Sequence, residues 1–220
     1  MAGLRNGKEN RSSLLDGLAR WKSSRMMEPF LRSQNLWGEW ISRAPSRKPS
    51  QIDWWVPALL QGYLSGPIIH EHLQKRDFYT VVVETLRDRD IEVFAPQFLV
   101  PAAAREIYLR DVQWVRQSDF LVGEVSNPSL GVGMEIMLAI ELKKPVLLFR
   151  QAESPRLSRM VLGAKGKVLF VYKETGDVES VLRDIDFENL TVRECPHCDS
   201  EVSMKSDDDY VCVLCGQTAD

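Results

Sequence analysis

Residues 119–142, DFLVGEVSNPSLGVGMEIMLAIEL, join a strand pattern to a helix pattern through a short turn. The run 120–125 is short and mostly apolar, which is typical of a strand covered on both faces. Ser126, Asn127 and Pro128 favour a turn, and helical spacing of apolar residues follows it. A strand that leads directly into a helix is half of a βαβ unit, so this stretch predicts a parallel sheet.

The same alternation continues on both sides of this stretch. Strands are predicted at 62–66, 91–95, 120–125, 145–150 and 168–172, and helices at 71–89, 104–117, 132–143, 154–163 and 176–186. This order predicts an α/β fold with a mainly parallel sheet of about five strands and helices on both faces. Ligands of such sheets bind at the carboxyl ends of the strands, near the topological switch point.

Length and composition are typical of a soluble globular protein. The 220 residues are 44% hydrophobic, 27% charged and 9% aromatic, which is typical of one globular α/β domain with additional length. No apolar run approaches the roughly 18 residues that cross a bilayer, and residues 1–15 contain no apolar signal-peptide core. We therefore expect no membrane association and a cytoplasmic location.

Charge is distributed unevenly along the chain. Residues 1–50 carry ten Lys and Arg against four Asp and Glu, and they include Trp21, Trp37 and Trp40. This segment is interpreted as a basic N-terminal arm that ends in a Pro/Ser-rich linker. Its charge is modest and the rest of the chain is acidic, so binding to nucleic acid is not expected.

The turn after the third predicted strand contains small residues that suit a phosphate. Ser129, Gly131 and Gly133 surround the predicted helix start, where free N–H groups and a partial positive charge attract anions. The alternative is that these residues only form a favourable turn.

Two acids interrupt apolar helix faces. Glu135 has Leu138 and Ala139 three and four residues away, and Asp111 has Trp114 and Val115 at the same spacings. Burying a carboxylate is costly, so each acid is either a hydrogen-bonded structural residue or a functional one. Paired carboxylates suit glycosidic chemistry, in which one attacks the anomeric carbon. The helix N-terminus is expected to keep Glu135 ionised.

All four cysteines lie near the C-terminus in two Cys-x-x-Cys pairs. Cys195 and Cys198 are separated from Cys212 and Cys215 by a stretch of thirteen residues, which resembles a zinc ribbon. Two disulfides are the alternative, but they are rare in cytoplasmic proteins. Four thiolates leave no open position, so the zinc is expected to be structural. His197 is expected to be exposed.

The stretch RDVQWVRQSDFLVGEVSNPSLGVGMEIMLAIELKKPVLLFR, residues 110–150, resembles the nucleoside 2-deoxyribosyltransferase family, and specifically its 2′-deoxynucleoside 5′-monophosphate N-hydrolase branch. The resemblance covers about residues 61–186. It implies a Rossmann-like, flavodoxin-like domain, usually a homodimer, that cleaves the bond between base and sugar through a covalent glycosyl-enzyme intermediate. It implies no cofactor for catalysis.

The resemblance also assigns roles to individual residues. It implies Glu135 as nucleophile, Asp111 as the sugar-contacting acid–base residue and Tyr63 as an active-site tyrosine. Phosphate or substrate contacts are implied for the following residues: Ser129, Gly66, Gly131, Gly133 and, from the neighbouring subunit, Ser158. The sequence departs from the hydrolase branch at Ile69, where that branch has an arginine, and His70 or His72 is a candidate replacement.

These observations define an expected organisation and function. The domains are an arm at 1–50, a catalytic domain at 51–189 and a zinc ribbon at 190–220, whose acidic surface suits a protein partner. The expected activity is hydrolysis of (deoxy)nucleoside 5′-monophosphates to free base and sugar phosphate. The alternatives are a deoxyribosyltransferase that exchanges bases and a nucleotide-binding module without catalysis.

Overall fold

A computed structural model describes residues 60–68 and 71–219 of the chain. The predicted arm at 1–50, together with Ile69 and His70, lies outside the described residues. Among the helices in the described part, none combines the length and apolar character that a bilayer span requires.

The predicted five-stranded parallel sheet is confirmed. Its strands are β1 (Gln61–Ser65), β2 (Glu92–Phe94), β3 (Phe120–Glu124), β4 (Val146–Gln151) and β5 (Lys167–Tyr172). They lie in the order β2-β1-β3-β4-β5, and every neighbouring pair is parallel. This order is that of flavodoxin-like sheets, and its switch point lies between β1 and β3.

Helices connect the strands and cover both faces of the sheet. They are α1 (Arg76–Arg87), α2 (Ala104–Gln117), α3 (Leu130–Glu141), α4 (Arg159–Leu162) and α5 (Thr175–Asp184). Short 3₁₀ turns lie at Glu71–Leu73 and Pro96–Phe98. Side chains alternate between the faces of β1: Leu64 packs in a core cluster with Phe78 of α1, whereas Tyr63 packs in a second cluster with Val132 of α3.

Two helices are shorter than the sequence pattern predicts. The pattern at 71–89 forms a helix only from Arg76, and the pattern at 154–163 forms only the four residues of α4. In the second case Arg150 donates hydrogen bonds to the hydroxyl and the carbonyl of Ser154, which fixes a turn there. Pro155 also disfavours helical geometry at the residue before it.

A second, antiparallel sheet follows α5. It contains β6 (Leu190–Val192), β7 (Val202–Ser206) and β8 (Asp209–Cys212) in that order. Val202 is fully buried in the same core cluster as Phe187, and the N–H of Glu201 donates to the carbonyl of Lys167 at 2.9 Å. The C-terminal sheet therefore packs directly on the edge of the parallel sheet.

Candidate active site

Glu135 lies at the switch point of the parallel sheet, in the first half of helix α3. Its carboxylate reaches toward β1, where alternation places Tyr63 and Ser65 on one face of the strand. The Tyr63 hydroxyl donates a hydrogen bond to Oε1 of Glu135 at 2.9 Å, and the Ser65 hydroxyl donates to Oε2. Both carboxylate oxygens are thus held by a rigid central strand.

Burial dominates the ionisation of Glu135. It raises the pKa of this carboxyl from 4.5 to about 7, although the hydrogen bonds from Ser65 and Tyr63 act in the opposite direction. The expectation that the helix N-terminus helps to keep Glu135 ionised stays a prediction, and burial acts against the ionised form. Burial and the charge of Glu135 also raise the pKa of Tyr63, so this hydroxyl keeps its proton and donates.

Asp111 lies on α2, where its carboxylate forms an ion pair with the side chain of Arg110. Nε of Arg110 lies 2.7 Å from Oδ1 of Asp111, and the Asp111 side chain is only 11% exposed. The negative charge of Asp111 raises the pKa of Glu135 and the positive charge of Arg110 lowers it, so both charges act on the carboxylate. The structure therefore brings Tyr63, Asp111 and Glu135 into one group, while their individual roles stay predictions.

An aromatic platform lies beside this ion pair. The rings of Phe94 and Trp114 stack with centroids 4.5 Å apart, and the guanidinium of Arg110 lies 5.7 Å from the centre of the Phe94 ring. Tyr63 also contacts Phe94, with ring centroids 5.7 Å apart. Ser65, Arg110 and Phe94 were not predicted from the sequence. Only for Ser65 was there a signal, since it lies two residues after Tyr63 in a strand.

The start of α3 is open for a ligand. Ser129 is the N-cap residue of this helix, but its hydroxyl makes no capping hydrogen bond. Gly131 and Gly133 are exposed in the first turn, and a Cβ atom on Gly133 would meet nothing within 4 Å. The N–H groups that precede Gly133 in this turn and the Ser129 hydroxyl are therefore available to an anion, whereas the N–H of Gly133 donates to the carbonyl of Ser129 at 3.1 Å.

Gly66 and Ser158 occupy different surroundings. A Cβ atom on Gly66 would lie 2.5 Å from Cε1 of Tyr79, so the packing of that ring gives a structural reason for glycine here. Ser158 is exposed just before α4, where its side chain makes no capping hydrogen bond. His72 lies exposed in the 3₁₀ turn at Glu71–Leu73.

Glu124 is a buried acid at the end of β3 that faces away from the Glu135 group. Its Oε1 accepts hydrogen bonds from the N–H and hydroxyl of Ser126 and from the Tyr172 hydroxyl at 3.2 Å. The Ser126 hydroxyl also accepts a hydrogen bond from the N–H of Gln151. These bonds join the ends of β3, β4 and β5, which favours a structural role for Glu124.

The four cysteines form a compact group in the C-terminal sheet. The Sγ atoms of Cys195 and Cys215 lie 3.6 Å apart, as do those of Cys198 and Cys212. All four sulfurs lie within 4.8 Å of one another, and all four thiols are free. A tetrahedral ion with metal–sulfur bonds of about 2.3 Å needs sulfurs about 3.8 Å apart, so the group can bind a metal ion. His197 is exposed, as predicted.

Together, the fold and site define an α/β protein that presents a hydrogen-bonded carboxylate beside an open helix start at the switch point of its sheet. A sequence profile of the nucleoside 2-deoxyribosyltransferase family matches residues 63–192. The chain belongs to this family.

Relatives that are named as N-hydrolases support the hydrolase branch. The 5-hydroxymethyl-dUMP N-hydrolase of Tetraodon nigroviridis is 41% identical over 112 residues, which cover 50% of this chain and 78% of that protein. The Danio rerio protein of the same name is 46% identical over 91 residues, which cover 40% of this chain and 62% of that protein.

Among solved structures, a 2-deoxyribosyltransferase from Bacillus psychrosaccharolyticus is similar, with 22% identity and a TM-score of 0.45. That match covers 58% of this chain and 93% of the other.

Proposed function

We propose that the chain hydrolyses the N-glycosidic bond of (deoxy)nucleoside 5′-monophosphates, releasing free base and sugar phosphate. The observation that carries this proposal is the Glu135 carboxylate, which is held on both oxygens at the switch point, close to an open helix start. The names of the relatives, 5-hydroxymethyl-dUMP N-hydrolases, support the same bond and the same class of substrate.

In the proposed mechanism, one oxygen of ionised Glu135 attacks the anomeric carbon of the sugar. The bond from this carbon to the base nitrogen breaks, and the base leaves with the electron pair and takes up a proton. Water then attacks the glycosyl-glutamate ester, which restores the carboxylate and gives the sugar phosphate. With its pKa of about 7, Glu135 has a substantial ionised fraction at neutral pH.

Asp111 and the helix start would bind the substrate. Asp111 is an acceptor held by Arg110, which suits hydrogen bonds from sugar hydroxyls and assistance in proton transfer. Ser129 would bind the 5′-phosphate through its hydroxyl and Gly131 through its N–H group. Gly133 has no side chain and would leave room for the phosphate, and Gly66 would line the first turn. No cofactor takes part in this reaction.

The 5′-phosphate is expected to speed base release. Purified protein is incubated with paired deoxynucleosides and their 5′-monophosphates, with and without an acceptor base, and the products are followed by chromatography. We expect the protein to release free base when no acceptor base is present, and to release it faster from the monophosphates than from the deoxynucleosides. Ser129→Ala should lower kcat/KM for monophosphates about tenfold, the effect of losing roughly 1.4 kcal/mol of binding, and leave nucleosides unchanged.

The outcomes of this assay separate the candidate functions. A new nucleoside formed only with acceptor base would identify a transferase, and nucleotide binding without turnover would identify a binding module. Equal rates for nucleosides and monophosphates would contradict the phosphate site. Ser118→Ala is a matched control, since it removes a serine hydroxyl that donates to the carbonyl of Val115 at 3.0 Å and has no part in the proposed phosphate site.

We also propose a homodimer that brings Ser158 of the second copy to the phosphate site. Helix α3 exposes Leu130, Met134 and Met137 at helical spacing, and their exposed fractions are 93%, 60% and 51%. Met160 on α4, two residues after Ser158, is 79% exposed. An apolar surface of this kind suits burial against a second copy of the chain.

A charge placed on this surface should disrupt the dimer. Met137→Glu is expected to convert a dimer to a monomer in sedimentation equilibrium, because pairing would bury the new carboxylate without a partner. Val171→Glu, a change at an exposed position of β5, is the control and should remain dimeric. A parent chain that sediments as a monomer at all concentrations would contradict the proposal.

For the C-terminal residues we propose a structural zinc site at Cys195, Cys198, Cys212 and Cys215. The donor set fits zinc, and four thiolates would complete its coordination. Four reduced thiols also suit a cytoplasmic location.

The hairpin between β7 and β8 exposes Asp207, Asp208 and Asp209, which favours a protein partner with a basic surface. The domains proposed are 1–50, 51–189 and 190–220.

A further inference from the structure

Ser65 ends strand β1 with a hydroxyl that points at the Glu135 carboxylate. The residue is fully buried, and its hydroxyl donates to Oε2 of Glu135. Tyr63, two residues earlier on the same strand face, donates to Oε1. We propose that Ser65 is a positioning residue of this site, which orients the Glu135 carboxylate and keeps it ionised for attack.

The geometry supports an orienting role. One donor on each oxygen fixes the plane of a carboxylate, and a central strand moves less than a loop. Ser65 pairs with Gly123 of β3 in the register of the sheet, so its backbone is held in place by the neighbouring strand. Rotation of the Glu135 side chain away from β1 would break both hydrogen bonds together.

The surroundings of Glu135 explain why the hydrogen bond from Ser65 affects its ionisation. Glu135 lies near Asp111 and Arg110 of α2, which act on its charge in opposite directions, and near the neutral Tyr63 of β1. Burial is the largest influence and disfavours the ionised form. The hydrogen bonds that Ser65 and Tyr63 donate to the Glu135 carboxylate counteract this influence.

The test replaces the hydroxyl and follows the pH dependence of base release from a deoxynucleoside 5′-monophosphate. In Ser65→Ala we expect the acidic limb of the kcat/KM profile to move upward by about one pH unit, because a hydrogen bond to a charged group is lost. Activity at pH 6 should fall about tenfold and largely recover at pH 9. Ser65→Cys, which keeps a weak donor, should give an intermediate shift.

A matched control separates this role from a loss of packing. Ser118→Ala removes another buried serine hydroxyl, which donates to the carbonyl of Val115 at 3.0 Å and does not contact Glu135. This variant should leave the acidic limb unmoved. A limb that is also unmoved in Ser65→Ala and Ser65→Cys would overturn the proposal.

A second readout does not depend on catalysis, since the role of Ser65 in attack rests on the proposed function. The carboxyl carbon of Glu135 is titrated by ¹³C NMR in protein labelled at glutamate, and its signal is assigned with Glu135→Gln. The titration midpoint of the Glu135 carboxyl should rise in Ser65→Ala and should rise less in Ser65→Cys. If the alanine variant does not fold, the cysteine variant alone provides the test. Absence of base release in the parent would refute the function alone, whereas an unchanged midpoint would refute the role of Ser65.

Discussion

Glu135→Gln is expected to abolish base release, with a fall in kcat of about 10³-fold or more. An amide of nearly the same shape occupies the position, but it lacks the negative charge and does not form the glycosyl ester. The parent enzyme, quenched in acid during turnover, should show by intact-protein mass spectrometry a fraction carrying one sugar phosphate. Glu135→Gln should show none.

The stability of the same variant provides the control for folding. The folded pKa of Glu135, about 7, is above its ordinary value of 4.5, so the folded state binds the proton more tightly than the unfolded chain. The stability that this proton contributes is fully present below pH 4.5 and is lost as the pH rises through 7. Gln resembles the protonated form at every pH.

We therefore expect Glu135→Gln to be more stable than the parent by about 1 to 3 kcal/mol at pH 8.5, with almost no difference at pH 4. Urea unfolding at the two pH values measures this difference. A variant that is inactive and destabilised at both pH values would indicate a damaged fold, and a fully active variant would refute Glu135 as the nucleophile.

Loss of the cysteine-bound metal is expected to unfold the C-terminal sheet. Few side chains are buried between β6, β7 and β8, and metal binding in comparable small sites contributes on the order of 10 kcal/mol. Cys212→Ser removes one ligand from the buried side of the group. We expect metal analysis to find one zinc per chain in the parent and a strongly reduced content in this variant.

The effect should extend to the parallel sheet, because the two sheets share packing. Val202 lies in the core cluster under α1 and α5, and the carboxylate of Glu201 accepts a hydrogen bond from the N–H of Gly166 at 2.8 Å. Thermal unfolding of Cys212→Ser should therefore begin at a lower temperature than that of the parent. Hydrogen exchange should show lost protection first in residues 190–219.

His197→Ala is the matched control for this experiment. His197 lies between Cys195 and Cys198, is exposed, and contributes only its backbone N–H to the Sγ of Cys195 at 3.4 Å. The alanine variant keeps that N–H and should retain both metal and stability. Full stability of Cys212→Ser, or a parent chain purified without metal, would contradict a structural metal site.

Much of the fold follows from local patterns. The apolar strand runs and the helical spacing between them predict the parallel sheet, because each pattern depends on residues close together in the chain. The pattern at 154–163 failed where a side-chain contact decided the outcome. Arg150 holds Ser154 in a turn, and periodicity contains no information about that hydrogen bond.

Some residues of the candidate site can also be predicted from local sequence patterns, whereas others are identified only by the fold. The acids Asp111 and Glu135 were visible because each interrupts an apolar helix face. Arg110 was not, since a charged residue on a helix is ordinarily exposed, and only the fold places it over Phe94 and against Asp111. The raised pKa of Glu135 could not be predicted from the sequence, because burial depends on every element that packs around the side chain.

Short segments of the chain are enough to establish the order of strands and helices, the identity of the two acids and the cysteine spacing, because each of these is a local pattern. Three other properties exist only in the folded molecule: Ser65 and Tyr63 hold the two oxygens of Glu135, burial raises its pKa to about 7, and the C-terminal sheet shares a core with the parallel sheet. They arise from contacts between segments distant in the chain, where desolvation and packing outweigh local preference.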